Sequence, residues 1–346
     1  MEQMQLSSLL ILLFSFFTSL RLTHSNLTLD YYSKSCPQFP LIMQQVITDK
    51  QLSSPTTAAA VLRLFFHDCM VDGCDASVLI ASNAFHKAER DADINLSLPG
   101  DAFDLISRAK TALELQCPRV VSCADILAVA TRNLIVMVGG PHYNVLLGRR
   151  DSIVSDASLA ERNLPKPNFP LSQIISMFNS KGLSPQEMVA LVGAHTIGFS
   201  HCKEFAYRIF NFSKTSQSDP AINPEYAARL RELCENYTTD TEMSAYNDVF
   251  TPGKFDNMYY RNLKIGLSLL QSDNAMAVDV RTKPFVDRYA ANQTEFFQAF
   301  ARAMEKVSLF NIKVGREGEI RHRCHDFNHF NGQKSERDRN SRVKKA

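Results

Sequence analysis

The sequence contains no tryptophan, whereas phenylalanine occurs 23 times, so any large aromatic wall in a pocket must be Phe or Tyr. Net charge is nearly absent too. Lys and Arg number 38 against 36 Asp and Glu, a formal +2, which gives no electrostatic reason to expect nucleic acid or an acidic membrane as partner. No two cysteines stand at CxxC spacing, which argues against the usual structural zinc sites. Alternating strand patterns are scarce, with YNVLLG at 143–148 the one short candidate, and no repeat of fixed period stands out. Beyond the N-terminal run, no stretch is apolar enough to span a bilayer.

What is present sets the class. The 346 residues, 45% of them hydrophobic, suffice for a full core in one or two domains. LLILLFSFFTSL at 9–20 is too short to span a membrane comfortably and is followed by RLTHS. This reads as a signal peptide over residues 1–25 rather than an anchor, leaving a soluble mature chain. The eight cysteines, Cys36, Cys69, Cys74, Cys117, Cys123, Cys202, Cys234 and Cys324, suit an oxidising destination. Their even number argues for four disulfides, with the pairing left open by spacing alone. Sequons begin at Asn26, Asn95, Asn211, Asn236 and Asn292 and are candidate glycan sites.

Apolar residues recur at three- and four-residue spacing in segments 40–52, 56–66, 101–115, 123–138, 171–182, 184–195, 223–237, 257–270 and 295–310, predicting helices. Ser122 and Ser184, the latter followed by Pro185, carry start signals. The predicted fold is mostly helical with long loops. The tail from 325 to 346 is polar and basic, a disordered or removable extension.

One stretch, RLFFHDCMVDGCDAS at 63–77, concentrates chemistry. A loop disulfide, a zinc site and a chance polar turn all compete to explain it. Arg63 and His67 are four apart and share a helix face, with Phe66 beside them. A guanidinium next to an imidazole keeps the ring neutral, so the pair can take a proton and stabilise a developing charge. The competing reading is an idle surface pair. Asp68, one residue on, points elsewhere. With Asp75, Ser77 and the carbonyls of Val71 and Gly73 it offers a hard oxygen set suited to Ca²⁺, or else a solvated acidic turn. VALVGAHTIGFSHC at 189–202 repeats the layout: His195 ends an apolar helix and Thr196 turns away. A lone helix-end histidine is more often structural. Asp248, Thr251 and Asp256 in NDVFTPGKFDNMYY, joined by Thr196, could form a second Ca²⁺ set, and Asp273 could support a metal-bound histidine.

Taken in order and spacing, RLFFHDC with DGCDAS, GRRD at 148–151, VGAHTIG, FDNMYY and QSD closely resemble the secretory plant haem peroxidases (class III), from Ser35 to Cys324. The resemblance implies an all-α fold, two helical halves sandwiching a haem b, over a domain spanning 26–324. It implies His195 as the iron's axial ligand oriented by Asp273, and His67 with Arg63 as distal acid/base and charge stabiliser beside Phe66. It implies a distal calcium held by Asp68, Val71, Gly73, Asp75 and Ser77, with Glu89 and Asn95 linking that shell to His67. A proximal calcium would be held by Thr196, Asp248, Thr251, Lys254 and Asp256. Implied disulfides are Cys36–Cys117, Cys69–Cys74, Cys123–Cys324 and Cys202–Cys234. Pro165 matches the proline at the reducing-substrate edge.

By the same resemblance the protein is a secreted monomer of the wall or apoplast, or of the vacuole if its tail is a sorting signal. It reduces hydrogen peroxide with phenolic-type donors, in lignification, suberin, auxin or oxidative-stress chemistry, without nucleic acid or membrane as partner. Two rivals are a non-catalytic secreted haem- and calcium-binding protein and a disulfide-rich wall protein that kept the fold. The segment after Asn95 is one residue longer than in the best-known members, and Asn95 lies in a sequon, so a role facing His67 excludes a glycan there.

Overall fold

The computed structural model describes residues 27–328. The signal-peptide reading for 1–25, the sequon at Asn26 and most of the polar tail lie outside the described residues.

Helices dominate because nearly every amphipathic segment finds a face to bury. The first group is α1 (Phe39–Ser53), α2 (Thr57–Val71), α3 (Gly100–Gln116) and α4 (Cys123–Met137), which pack on one another. Short α5 (Ala157–Asn163) and α6 (Leu171–Ser180) lead to the second group: α7 (Pro185–Val192), α8 (Ala206–Ile209), α9 (Pro224–Leu233), α10 (Met258–Lys264), α11 (Gln271–Val278), α12 (Lys283–Ala291) and α13 (Gln293–Val307). Here α13 packs on α7 and α12, and α12 on α10 and α11. One apolar core runs through both groups, from Leu64 and Ile126 to Met188, Phe296 and Phe300. Among the described residues no helix is long and apolar enough to cross a membrane.

The start signals act as the side chains require. Ser122 accepts the Asp125 N–H at 3.1 Å. Ser184 forms a capping box, its hydroxyl accepting from Glu187 N at 3.3 Å while Glu187 accepts from Ser184 N at 2.7 Å.

Two expectations need correction. YNVLLG is extended, and Tyr143, Val145 and Leu147 alternate inward, but only Leu147 finds a backbone partner, Thr28, so no strand forms. The sheet is instead β1 (Phe199–His201) paired antiparallel with β2 (Ser244–Tyr246), Ser200 opposite Ala245. The helix read over 257–270 ends at Lys264, because Gly266 takes a left-handed φ of +75° and its carbonyl accepts Asn223 N at 2.9 Å. α11 begins only after this break.

Cys36–Cys117, Cys69–Cys74, Cys123–Cys324 and Cys202–Cys234 are the four disulfides. The third spans 201 residues, which in the chain-entropy picture restricts the unfolded state by about 5 kcal/mol.

Candidate active site

A cavity of about 660 Å³ lies between the two helical groups. Its upper wall is the end of α2, where Arg63, Phe66 and His67 face inward. The lower wall is the turn Gly193–Thr196 after α7, which presents His195 among Leu191, Ile197 and Phe300. Pro165 also lines the cavity.

Helical spacing places Arg63 one turn before His67, as the sequence predicts. His67 is buried. Its Nδ1 lies 2.6 Å from Asn95 Oδ1, and Asn95 Nδ2 donates to the Glu89 carbonyl at 2.7 Å. After Asn95 the chain makes a tight turn closed by Leu98 N on the Asn95 carbonyl at 2.9 Å. Burial and the adjacent Arg63 guanidinium push the His67 imidazole down to about 3, against the opposing effect of the Asn95 bond. Arg63 donates to Ser97 O at 2.7 Å and Ser97 Oγ at 2.9 Å. Phe66 meets the His67 ring edge-on at 6.2 Å and packs on Phe178 at 6.0 Å.

On the other wall, Asp273, in the first turn of α11, accepts from His195 Nδ1 at 3.1 and 3.2 Å. Burial disfavours the charged ring, but the Asp273 carboxylate outweighs it and holds the imidazole above its usual value. Tyr259 stacks edge-on at 5.9 Å. The His195 side chain keeps 35% of its surface free, and this surface borders the cavity. With Nδ1 committed to Asp273, Nε2 has its lone pair available to an axial metal. The wide apolar space around it suits a flat, greasy macrocycle, so the residues fit a haem.

Behind α2, the distal oxygen residues converge. Asp68 accepts from Ala76 N at 2.9 Å, and Asp75 accepts from Ser77 N at 3.1 Å. Ser77 Oγ donates to Glu89 at 3.1 Å, so this cluster connects through Glu89 and Asn95 to His67. Cys69–Cys74 closes the loop carrying Val71 and Gly73. Burial first, then the Asp75 carboxylate, pushes Asp68 up, and burial with Asp68 and Asp75 pushes Glu89 to about 9. The two carboxylates with the Ser77 hydroxyl and nearby carbonyls are an oxygen set that could hold a calcium ion.

The proximal residues also meet. Asp248 accepts from Thr251 N at 3.0 Å, and Thr251 Oγ1 donates to Asp256 at 3.1 Å. Asp256 N donates to Thr196 Oγ1 at 3.3 Å, and Thr196 Oγ1 donates to the Lys254 carbonyl at 3.4 Å. Among the described residues no group of three or more His, Cys, Asp and Glu side chains is placed to hold a metal by itself. A cation at either set would need hydroxyl and backbone oxygens beside the two carboxylates.

No sequence pattern marks Ser97, the partner of Arg63, beyond its place in the Asn95 sequon. Nor does one mark Asn247 and Ser200, joined by a 2.7 Å bond on the cavity wall, or His201, whose Nδ1 is buried without a partner. Asn247 and His201 each stand within a motif already quoted, but no spacing rule marks them as inward-facing.

The sequence model of the family described as Peroxidase matches residues 43–292. The chain is 62% identical over 321 residues to Peroxidase 6 of Arabidopsis thaliana, covering 92% of this chain and 98% of that protein. It is 57% identical over 323 residues to Peroxidase 31 of Arabidopsis thaliana, covering 93% and 99%. Identity to Peroxidase 65 of the same plant is 58% over 302 residues, covering 87% and 89%.

Proposed function

From the premise that this chain belongs to the peroxidase family, as a secreted haem enzyme that reduces hydrogen peroxide with reducing substrates, we propose how its residues divide the work. His195 Nε2 would hold the iron of haem b. Haem, when bound, supplies the redox chemistry, accepting the oxidising equivalents of peroxide and passing them on one electron at a time. His67 Nε2 takes a proton from the nearer peroxide oxygen and returns it to the departing one, while Arg63 stabilises the charge that develops between them. Phe66 walls the same space. Asn95 and Glu89 hold His67 in the tautomer this requires. Asp273, accepting the His195 N–H, makes that ring a stronger electron donor. Phenolic-type donors approach past Pro165.

Asp68, Asp75 and Ser77 with the Val71 and Gly73 carbonyls take one calcium, Glu89 standing behind them. Thr196, Asp248, Thr251 and Asp256 with the Lys254 carbonyl take another. The mature enzyme is a monomer over 26–324, released from its signal peptide near Ser25, and acts in the wall or apoplast. The tail at 325–346 is an extension that redirects it to the vacuole if it serves as a sorting signal.

The observation that carries this reading is that His67 and His195 line one cavity from opposite walls, each with its Nδ1 occupied. The non-catalytic alternative is not favoured, because Arg63 and His67 both reach the cavity. The test is optical. His195→Ala should bind haem loosely or lose it, because the imidazole that Asp273 holds at the cavity wall is gone. A normal five-coordinate spectrum in that variant would remove the assignment.

A further inference from the structure

Residues 310–313 run as a strap along the loop that carries the distal oxygens. Cys74 N donates to the Phe310 carbonyl at 3.2 Å, and Asn311 Nδ2 donates to the Asp72 carbonyl at 2.6 Å. A Cβ on Gly73 would collide with the Asn311 carbonyl. The Lys313 carbonyl accepts Arg150 N at 2.8 Å, which anchors the strap. From this anchor the Lys313 ammonium forms an ion pair with Asp75 Oδ2. Asp75 is fully buried, and the Lys313 side chain is only 20% exposed.

Among the described residues no other cation is paired with Asp75. Arg321 Nη1 donates to the carbonyls of Ala76 and Cys324 and Nη2 to that of Ser152, while Nε faces Glu319 at 4.0 Å. Lys181 Nζ donates instead to the Val71 carbonyl and to Asn163 Oδ1, both at 3.4 Å. The proximal set differs: Lys254 lies 3.5 Å from Asp256, but its side chain is 65% exposed and water screens the pair.

We propose that Lys313 is an internal counter-cation of the distal set, neutralising Asp75 when calcium is absent and leaving when calcium enters. This rests on reading the set as a calcium site. A carboxylate oxygen that holds an ammonium cannot at the same time give its full charge to a divalent ion. The two cations are therefore competing ligands for one oxygen, coupled with negative sign. The flexible four-carbon stem lets the ammonium swing outward while the backbone anchor stays. The loop is thus held in calcium-poor surroundings, at the cost of weaker calcium binding.

The test uses the haem-loaded protein, stripped with chelator and titrated with calcium chloride in a calorimeter, with thermal melts in chelator and in calcium. Lys313→Met should bind the distal calcium on the order of 10-fold more tightly. It should melt lower than wild type in chelator but not in calcium. Lys313→Arg, which keeps the charge, should stay near wild type. Two calcium ions bound by Lys313→Met with wild-type affinity would overturn the proposal, as would an unchanged melt in chelator. If wild type and Lys313→Met take up no calcium at all, the distal calcium reading itself fails, and the exchange falls with it. A Lys313→Met protein that folds only when calcium is supplied supports the proposal. One that folds in neither condition, while Lys313→Arg folds in both, overturns it.

Discussion

His67 Nδ1 and Asn95 Oδ1 stand 2.6 Å apart, and the bond has a direction. Asn95 Nδ2 is already donating to the Glu89 carbonyl, so its Oδ1 must accept. His67 Nδ1 therefore carries the hydrogen, and the Nε2 lone pair remains for chemistry in the cavity. Asn95→Leu should leave the imidazole in place but free its tautomer. The rate of reaction with peroxide, followed by stopped flow, should fall about 10–100-fold, as for other lost orienting partners. An unchanged rate would mean that the bond orients nothing.

Acid should expose the same residue. Burial and Arg63 hold His67 at about 3, below its unfolded value, so the unfolded chain binds the extra proton first. The sign follows: His67 costs stability as pH falls through the unfolded histidine range, and that loss stops growing below about 3. Peroxide reactivity should hold its plateau well into the acid range. Arg63→Leu removes one of the two depressing causes, so the acid limb of the rate profile should move upward. A limb that stays fixed, or moves down, would contradict the electrostatic coupling.

The distal pair should also separate by rate. His67→Leu should keep haem, because His195 holds the iron from the other wall, and the helix should survive, since Leu is a better helix former. Loss of a positioned acid/base that acts on both oxygens should cost about 10⁴-fold in peroxide reaction. Arg63→Leu should cost roughly 10²–10³-fold. The double variant should lose less than the product of the two, because both side chains serve one transition state. Near wild-type reaction of His67→Leu in a stopped-flow experiment would reduce the pair to a structural contact.

Asp273→Asn should retain haem yet withdraw the charge behind His195. The ferric/ferrous potential should rise as the axial ring donates less. Spectroelectrochemistry gives the answer, and an unmoved potential would dissociate Asp273 from the iron.

Glycosylation offers a check on burial. Asn211, Asn236 and Asn292 are exposed. At Asn292 the Oδ1 caps α13 by accepting Glu295 N at 3.1 Å, which leaves Nδ2 free for a glycan. Asn95 is 2% exposed with both amide atoms engaged. Peptide mapping of secreted protein should find sugar at the first three and none at Asn95. High occupancy at Asn95 would end its role beside His67.

What the sequence alone determined about this protein is what short-range geometry decides. Arg63 and His67 share a face because a helix turns once in 3.6 residues. Ser122 and Ser184 start helices because their hydroxyls reach amides three residues on. Asp68 and Asp75 gather because one small disulfide loop joins them. The order of motifs carried the family, and with it the haem. Tertiary structure decided whatever joins distant positions. Ser97 reaches Arg63 across 34 residues, and Lys313 reaches Asp75 across 238. YNVLLG kept the alternation of a strand and found no ladder, while Phe199–His201 found one in Ser244–Tyr246. A side chain's periodicity reports which way it points from its own backbone. Which partner it meets depends on how the whole chain packs, and no local pattern records that.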